Sequence, residues 1–296
     1  MINPYISVVI VGRNDNYGVG FAERLSNFIE HLDRQIKNYP TLLELILVEW
    51  NPLSERSPIK EILPKTDNLL VRVLTVDNET HLSVGNKVPV YEFYAKNAGA
   101  RRANGEFVLV TNPDILFTDE LITELSKRRL RDKEYYRLDR YDFNSEGMSQ
   151  LPKNQWIDFA IRNTFKANLL RHSFVLDPVS SIWHLPRSLI YDRSLHTNGS
   201  GDFILTRKSS LDQIGGLFED PEEIYHNDSY SIIRLEHYGL TGIVFPTPFC
   251  IFHQHHPADR SQRDPWDVNK ANRLAYTTGL DSWGLKDHKL LEWSNR

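Results

Sequence analysis

Cysteine is nearly absent: Cys250 is the single thiol in 296 residues. One thiol excludes an intramolecular disulfide and any cysteine-built metal cage, and it suits a reducing compartment. A basic excess is also missing, because 35 lysines and arginines face 39 acids and leave a formal net charge of −4. Such a chain carries no electrostatic footprint for nucleic acid, so any phosphate on a ligand must be met by local cations. Long apolar runs are lacking too. The first of them, Ile6 to Val11, follows no basic segment and is far too short for a signal core or a membrane span. The expected location is therefore cytoplasmic. No internal repeat, low-complexity tract or flexible linker interrupts the chain. Charged residues at 25% and hydrophobic residues at 40% describe an ordinary globular protein, expected as one domain over 1–296 with a large buried core.

What is present alternates between two periods. Ser7 to Val11 is a β-branched run that ends in the turn formers Gly12 to Gly18, which reads as a strand and its exit loop. Phe21, Leu25, Phe28, Ile29, Leu32 and Ile36 then recur at helical spacing. Leu43 to Val48 is a second strand with Glu49 to Pro52 as its exit loop, a short helix follows around Ile59 to Leu63, and Val71 to Val76 is a third strand. Tyr91 to Ala103 reads as a helix closed by Asn104 and Gly105, a common C-terminal stop. The next strand, Glu106 to Thr111, runs into Asn112-Pro113-Asp114. Proline supplies no N–H, so the chain must leave the sheet there. Strands alternating with helices predict an α/β fold with a mostly parallel sheet flanked by helices. The loops after Val11, Glu49 and Thr111 then share the carboxyl edge, where such sheets bind ligands.

Beyond Asp114 the pattern loosens. Tyr135 to Asp142 alternates like one strand, and Gln150 to Ser200 reads as loops that shape a site. Order returns with a strand at Phe203 to Thr206, helices at Ser209 to Ile214 and Asp228 to Tyr238, a strand at Gly242 to Phe245, and an apolar strand end at Pro248 to Phe252.

Five segments in order carry a resemblance: Ser7-Val-Val-Ile-Val-Gly-Arg-Asn14, Leu45-Ile-Leu-Val-Glu49, Lys96-Asn-Ala-Gly-Ala-Arg101, Ala103 to Asp114, and Gly215-Gly-Leu-Phe-Glu219. The chain resembles the GT-A-fold nucleotide-sugar glycosyltransferases, the family-2-type enzymes in particular. The resemblance implies a Rossmann-like donor half over 1–115 and an acceptor-binding, catalytic half over 116–296. It implies that Gly12, Arg13, Asn14 and Glu49 meet the nucleotide and that Asp114 faces a divalent metal, Mn²⁺ or Mg²⁺, on the donor diphosphate. Asn112 stands where the family's D-x-D motif has its first aspartate, which leaves one carboxylate instead of two. Many GT-A enzymes also use a histidine late in the domain as a metal ligand, a place that His253 matches. Asn227-Asp228 follows the Gly-Gly segment where the family has its Glu-Asp base, so Asp228 is the implied catalytic base of an inverting transfer.

Each of these residues also has a plainer reading. A lone aspartate after a strand is by default a turn residue, Glu49 a surface acid, Arg13-Asn14-Asp15 a polar turn, and Asp228 a helix cap. Lys96, Asn97 and Arg101 make a basic helix face that is either solvated or set against a diphosphate. Asp202 follows a glycine-rich turn that permits close approach of the backbone, so it is a candidate at the acceptor site or a turn cap. Within His253-Gln-His-His256 only His253 is expected to act, as the first polar residue off a buried strand, and imidazole is a common metal ligand. Asp259 to Trp266 reads as a loop able to close over the donor. Lys127 to Arg131 is a solvated basic run or a contact with the inner face of an anionic membrane that carries a lipid-linked acceptor. The expected function is sugar transfer from a nucleotide-sugar, UDP-linked by preference, to a hydroxyl of a glycan or other acceptor. The alternatives are a metal-dependent hydrolase built on Asp114 and His253, and a silent sugar-binding module.

Overall fold

The structure is a computed structural model that describes residues 3–169, 172–175, 199–257, 267–275 and 281–296. In chain order the elements of the first half are β1 (Ile6–Gly12), α1 (Phe21–Gln35), β2 (Leu43–Trp50), β3 (Leu70–Val76), α2 (Asn78–Val84), α3 (Glu92–Arg101), β4 (Phe107–Val110), β5 (Ile115–Phe117), α4 (Asp119–Ser126), β6 (Glu134–Arg137) and β7 (Arg140–Phe143). There follow α5 (Trp156–Arg162), β8 (Thr164–Leu169), β9 (His172–Val175), β10 (Ile204–Arg207), α6 (Lys208–Ile214), α7 (Asn227–His237), β11 (Thr241–Val244), β12 (Ile251–Gln254), α8 (Val268–Ala275) and β13 (Leu291–Ser294).

The strands form an eight-stranded sheet ordered β11-β6-β10-β4-β1-β2-β3-β13 and a five-stranded one ordered β5-β12-β7-β8-β9. β1 runs parallel to both β2 and β4, and β2 parallel to β3, as the βαβ pattern requires. β10 inserts antiparallel between β4 and β6, and β13 closes the far edge antiparallel to β3. Strands from both sides of residue 115 thus share one sheet.

The alternation of side chains along β1 divides the core. Ile6, Val8 and Ile10 meet Leu25, Phe28, Ile29 and Leu32 of α1, while Val9 and Val11 meet Phe93, Ala95 and Ala98 of α3. Each large apolar side chain so buried stabilises the fold by about 1.5–3 kcal/mol. α3 lies close on the sheet because Gly99 has no side chain. A Cβ there would come within 2.5 Å of Val9 Cγ1.

Several elements depart from the expectation. Tyr135 to Asp142 is not one strand: Leu138 and Asp139 break it, so that β6 joins the large sheet and β7 the small one. The 150–200 segment is not all loop, since it holds α5, β8 and β9. α5 buries only Trp156 and Ala160, too few apolar positions to mark a helical period. α2 and α4 are short helices whose signals are caps rather than periodicity. Asp77 accepts from the Thr80 N–H at 2.8 Å, and Thr118 accepts from that of Leu121 at 3.4 Å. The expected Asp259–Trp266 lid and the stretch 176–198 lie outside the described residues.

Candidate functional site

The small sheet stands beside the carboxyl edge of the large one because the chain leaves β4 through Asn112-Pro113-Asp114 and re-enters at β5. β12 pairs antiparallel with β5 and parallel with β7, so His253 lies opposite Ile115 and opposite Asp142. His253 is inside a strand, not at its exit as the sequence suggested. Gln254 fixes the junction: its N–H donates to the Asp114 carbonyl at 2.9 Å, and its side-chain oxygen accepts from Asn27 Nδ2 at 2.8 Å.

Asp114 is buried beside two histidines and an arginine. Its Oδ2 lies 3.1 Å from His256 Nε2, 3.6 Å from His253 Nε2 and 3.9 Å from Arg24 Nε. Its Oδ1 is buried with no hydrogen-bond partner among the described residues. Burial works to raise its pKa, but the two histidines outweigh burial and hold the carboxyl far below the usual carboxylate range. His253 Nδ1 donates to Asp142 Oδ1 at 3.1 Å, and His256 Nδ1 donates to the Pro257 carbonyl at 2.9 Å. Both acceptors lack a hydrogen, so both Nδ1 atoms must carry one and both Nε2 atoms are turned to Asp114. Burial lowers the His253 pKa and the flanking Asp114 and Asp142 raise it more, to about 9. Asp142 is pushed down to about 2, where His253, Arg140 and Lys166 outweigh burial.

Asp114, His253 and His256 present one oxygen and two nitrogens within 4.8 Å of one another. Two imidazoles whose far nitrogens are hydrogen-bonded, one of them to a carboxylate, form the usual surroundings of metal-binding histidine. With the spare Asp114 oxygen they fit a divalent first-row cation. The sequence reading passed over His256. Its Nε2 faces Asp114 while its Nδ1 bonds to the Pro257 carbonyl, whereas the His255 ring packs 5.0 Å from Phe165.

A polar chain leads away from this cluster. Arg140 bridges Asp142 (Nε to Oδ1, 2.9 Å) and Asp202 (Nη1 to Oδ2, 2.6 Å). Asp202 Oδ1 accepts from Asn112 Nδ2 at 2.8 Å, and Asn112 Oδ1 accepts from Lys96 Nζ, also at 2.8 Å. The fully buried Lys96 further donates to Glu92 at 2.5 Å and to the Gly201 carbonyl at 3.0 Å. Asp228 closes the chain, its Oδ2 accepting from the Gly201 N–H at 3.3 Å. His226, not Asp228, holds the N-cap position of α7. The carboxylate of Asp228 therefore serves two sides: Oδ2 faces the turn Ser200–Asp202, while Oδ1 accepts from the Ser229 N–H at 2.8 Å in the first turn of α7.

Other expected residues are placed less directly. Arg13 is engaged with Asp15 at 2.7 Å, and Asn14 donates to the Ser57 carbonyl at 2.9 Å. Glu49 lies in β2, not in a loop; it is 2% exposed and accepts from the Ile59 N–H at 2.7 Å. Burial raises its pKa. Gly12 lets α1 begin close over the strand end, since a Cβ there would lie 2.6 Å from Phe21 Cζ. Asn97 and Arg101 do not reach the site. They share a face turned about 100° from Lys96. Asn97 accepts from the Leu217 N–H (2.9 Å) and donates to the Leu217 carbonyl (2.8 Å) and to Glu219 (2.6 Å), while Arg101 donates to the Trp283 carbonyl at 3.0 Å. The Gly215 to Glu219 motif is thus tied to the back of α3. In the basic run, Lys127 pairs with Glu124 at 2.5 Å and Arg128 bonds to Thr41 at 2.8 Å. No helix among the described residues is long and apolar enough to cross a membrane.

No protein-family model matches the chain, and no curated protein matches it in sequence. Among solved structures it is similar to S. aureus TarS 1-349, with 15% identity and a TM-score of 0.49 over 84% of this chain and 60% of that one. The complex of the same protein with UDP-GlcNAc gives 13% and 0.48 over 91% and 64%. The catalytic domain of Drosophila β1,4-galactosyltransferase 7 in complex with xylobiose gives 12% and 0.44 over 93% and 82%. The chain spans about three fifths of the length of the TarS structures.

Proposed function

We propose that this protein transfers a sugar from a nucleotide-sugar donor, UDP-linked by preference, to a hydroxyl of a glycan or lipid-linked acceptor. The observation that carries the reading is the convergence of Asp114, His253 and His256 at the carboxyl edge of a parallel sheet, joined through Arg140 and Asp202 to a second carboxylate, Asp228. Ligands of open α/β sheets bind at that edge. Asp114, His253 and His256 would hold a divalent cation, which would supply positive charge for a departing diphosphate. The nucleoside would lie beside Arg13 and Asn14, which follow β1, and near Glu49, which lies inside β2 one residue before its end.

Asp228 is the base in this reading. Its carboxylate takes the proton of the acceptor hydroxyl as that oxygen bonds to the anomeric carbon. The bond from this carbon to the diphosphate oxygen breaks, and the nucleoside diphosphate leaves with the electron pair. Attack from the face opposite the leaving group inverts the anomeric centre. A positioned base contributes about 10²–10⁴ in rate. Calorimetry with Mn²⁺ and UDP tests the reading: wild type binds the pair and Asp114→Ala does not. Equal affinity in the two proteins overturns it.

A further inference from the structure

Asn112 sits two residues before Asp114, where the resemblance implies a first metal-facing aspartate. Its presence reads most simply as a weakened ligand. The geometry points to another role, and we infer that Asn112 is a neutral coupler: its amide joins Lys96 to Asp202 and so holds the segment opposite the cation cluster in place. The metal arm of this inference rests on the function proposed above, and the stability arm does not.

Both ends of the amide are committed. Lysine has only donors and a carboxylate only acceptors, so Oδ1 must face Lys96 and Nδ2 must face Asp202, each at 2.8 Å. An ionised carboxylate of the same size cannot donate there; only an amide accepts from one side and donates to the other without holding a titratable proton. An aspartate in its place keeps the contact to Lys96 and sets an oxygen against Asp202 at the same short distance. Two carboxylates so close repel each other, and the cations beside them are already shared. Lys96 also serves Glu92 and the Gly201 carbonyl, and Arg140 also serves Asp142.

The consequence travels along the chain of contacts. Asp202 is held on its other side by Arg140 Nη1 at 2.6 Å, and its own carbonyl accepts from Thr111 Oγ1 at 2.6 Å. Repelled from position 112, Asp202 draws Arg140 with it and away from Asp142. Asp142 is the acceptor that orients His253. Restoring the second acid of a D-x-D motif is therefore expected to weaken cation binding in this protein, against the simple rule that more carboxylates bind a cation more tightly.

The test compares the full chain with N112D, D202N and the exchanged double variant N112D/D202N, by thermal melting and by calorimetry with Mn²⁺ alone near pH 7.5. The N112D protein is expected to melt about 5 °C or more below wild type and to bind Mn²⁺ at least about threefold more weakly. The double variant puts the amide and the carboxylate on opposite sides of the same contact, and it is expected to regain more than half of the lost melting temperature. An N112D protein that melts like wild type overturns the inference, as does one that binds Mn²⁺ more tightly. A double variant as unstable as the two single losses added together does the same. A wild-type protein with no affinity for Mn²⁺ refutes the proposed function but leaves the melting comparison to decide the coupler.

Discussion

His253 gives the cation cluster a pH signature whose size follows from its position. Its ring lies between Asp142, 3.1 Å from Nδ1, and Asp114, 3.6 Å from Nε2. Burial disfavours its charge, yet the two carboxylates push its pKa up to about 9. The folded value exceeds the unfolded one of about 6.5, so the charged ring stabilises the native state fully below that pH, and this contribution is lost as pH rises through about 9. The difference of about 2.5 units corresponds to about 3 kcal/mol. A cation taking Nε2 must displace the same proton. Competition then lowers the apparent affinity by about two orders of magnitude at pH 7, and the affinity recovers by more than about tenfold between pH 6.5 and 8.5. Calorimetry with Mn²⁺ in two buffers of different ionisation enthalpy measures both quantities. The expected result is about one proton released per ion near pH 7.5, together with that rise in affinity. Without the cation, the melting temperature should fall over the same range. Constant affinity with no proton released refutes the placement of His253 in the cluster.

Other variants probe the remaining parts. Asp228→Asn should lower turnover by about 10²–10⁴ while the protein stays folded, with only a modest loss of melting temperature from the one backbone N–H it no longer accepts; wild-type turnover, or a product with retained anomeric configuration by NMR, removes the base and the inversion together. Asp142→Ala should weaken Mn²⁺ binding by about 10–100-fold in calorimetry, because it frees the ring that Asp142 orients. Gly216→Ala should destabilise the fold, with melting as the measure. Its φ is +77° and a Cβ would collide with the Trp283 ring. Val19→Gly should stabilise by about 1 kcal/mol, read as about 2 °C in melting, because Val19 holds φ +56° with its side chain in solvent.

The parallel core was legible because β1, β2 and β4 are buried along their whole length and so read as largely apolar runs, and because α1 shows a helical stripe. Residues 135–142 were misread as one strand because alternation says nothing about which sheet a strand joins. Only the pairing of β6 with β10 and of β7 with β12 separates them. Asp114 was legible as the polar residue at a strand exit, whereas His253 stood out as the first polar residue of an apolar run although it lies inside β12. His256 was not legible, because its place depends on the bond of its Nδ1 to the Pro257 carbonyl and on Gly18, whose missing side chain lets the His256 ring lie against the β1–α1 loop. Arg140 and Asp142 passed unnoticed for a related reason. A buried ion pair is invisible in sequence until the fold sets Asp202 and His253 on either side of it. Asn97 and Arg101 were misplaced because sequence spacing groups residues by helix face without telling which face meets the sheet edge.

The central claim is that the carboxyl-edge cluster serves transfer of a sugar from a nucleotide diphosphate. ³¹P NMR of the purified chain incubated with UDP-sugars, Mn²⁺ and a mixture of glycan acceptors tests it most directly. Release of nucleoside diphosphate should depend on both acceptor and Mn²⁺, stop with EDTA, and be lost in Asp114→Ala. Acceptor-independent cleavage to nucleoside monophosphate and sugar phosphate, as expected of a hydrolase, would contradict it.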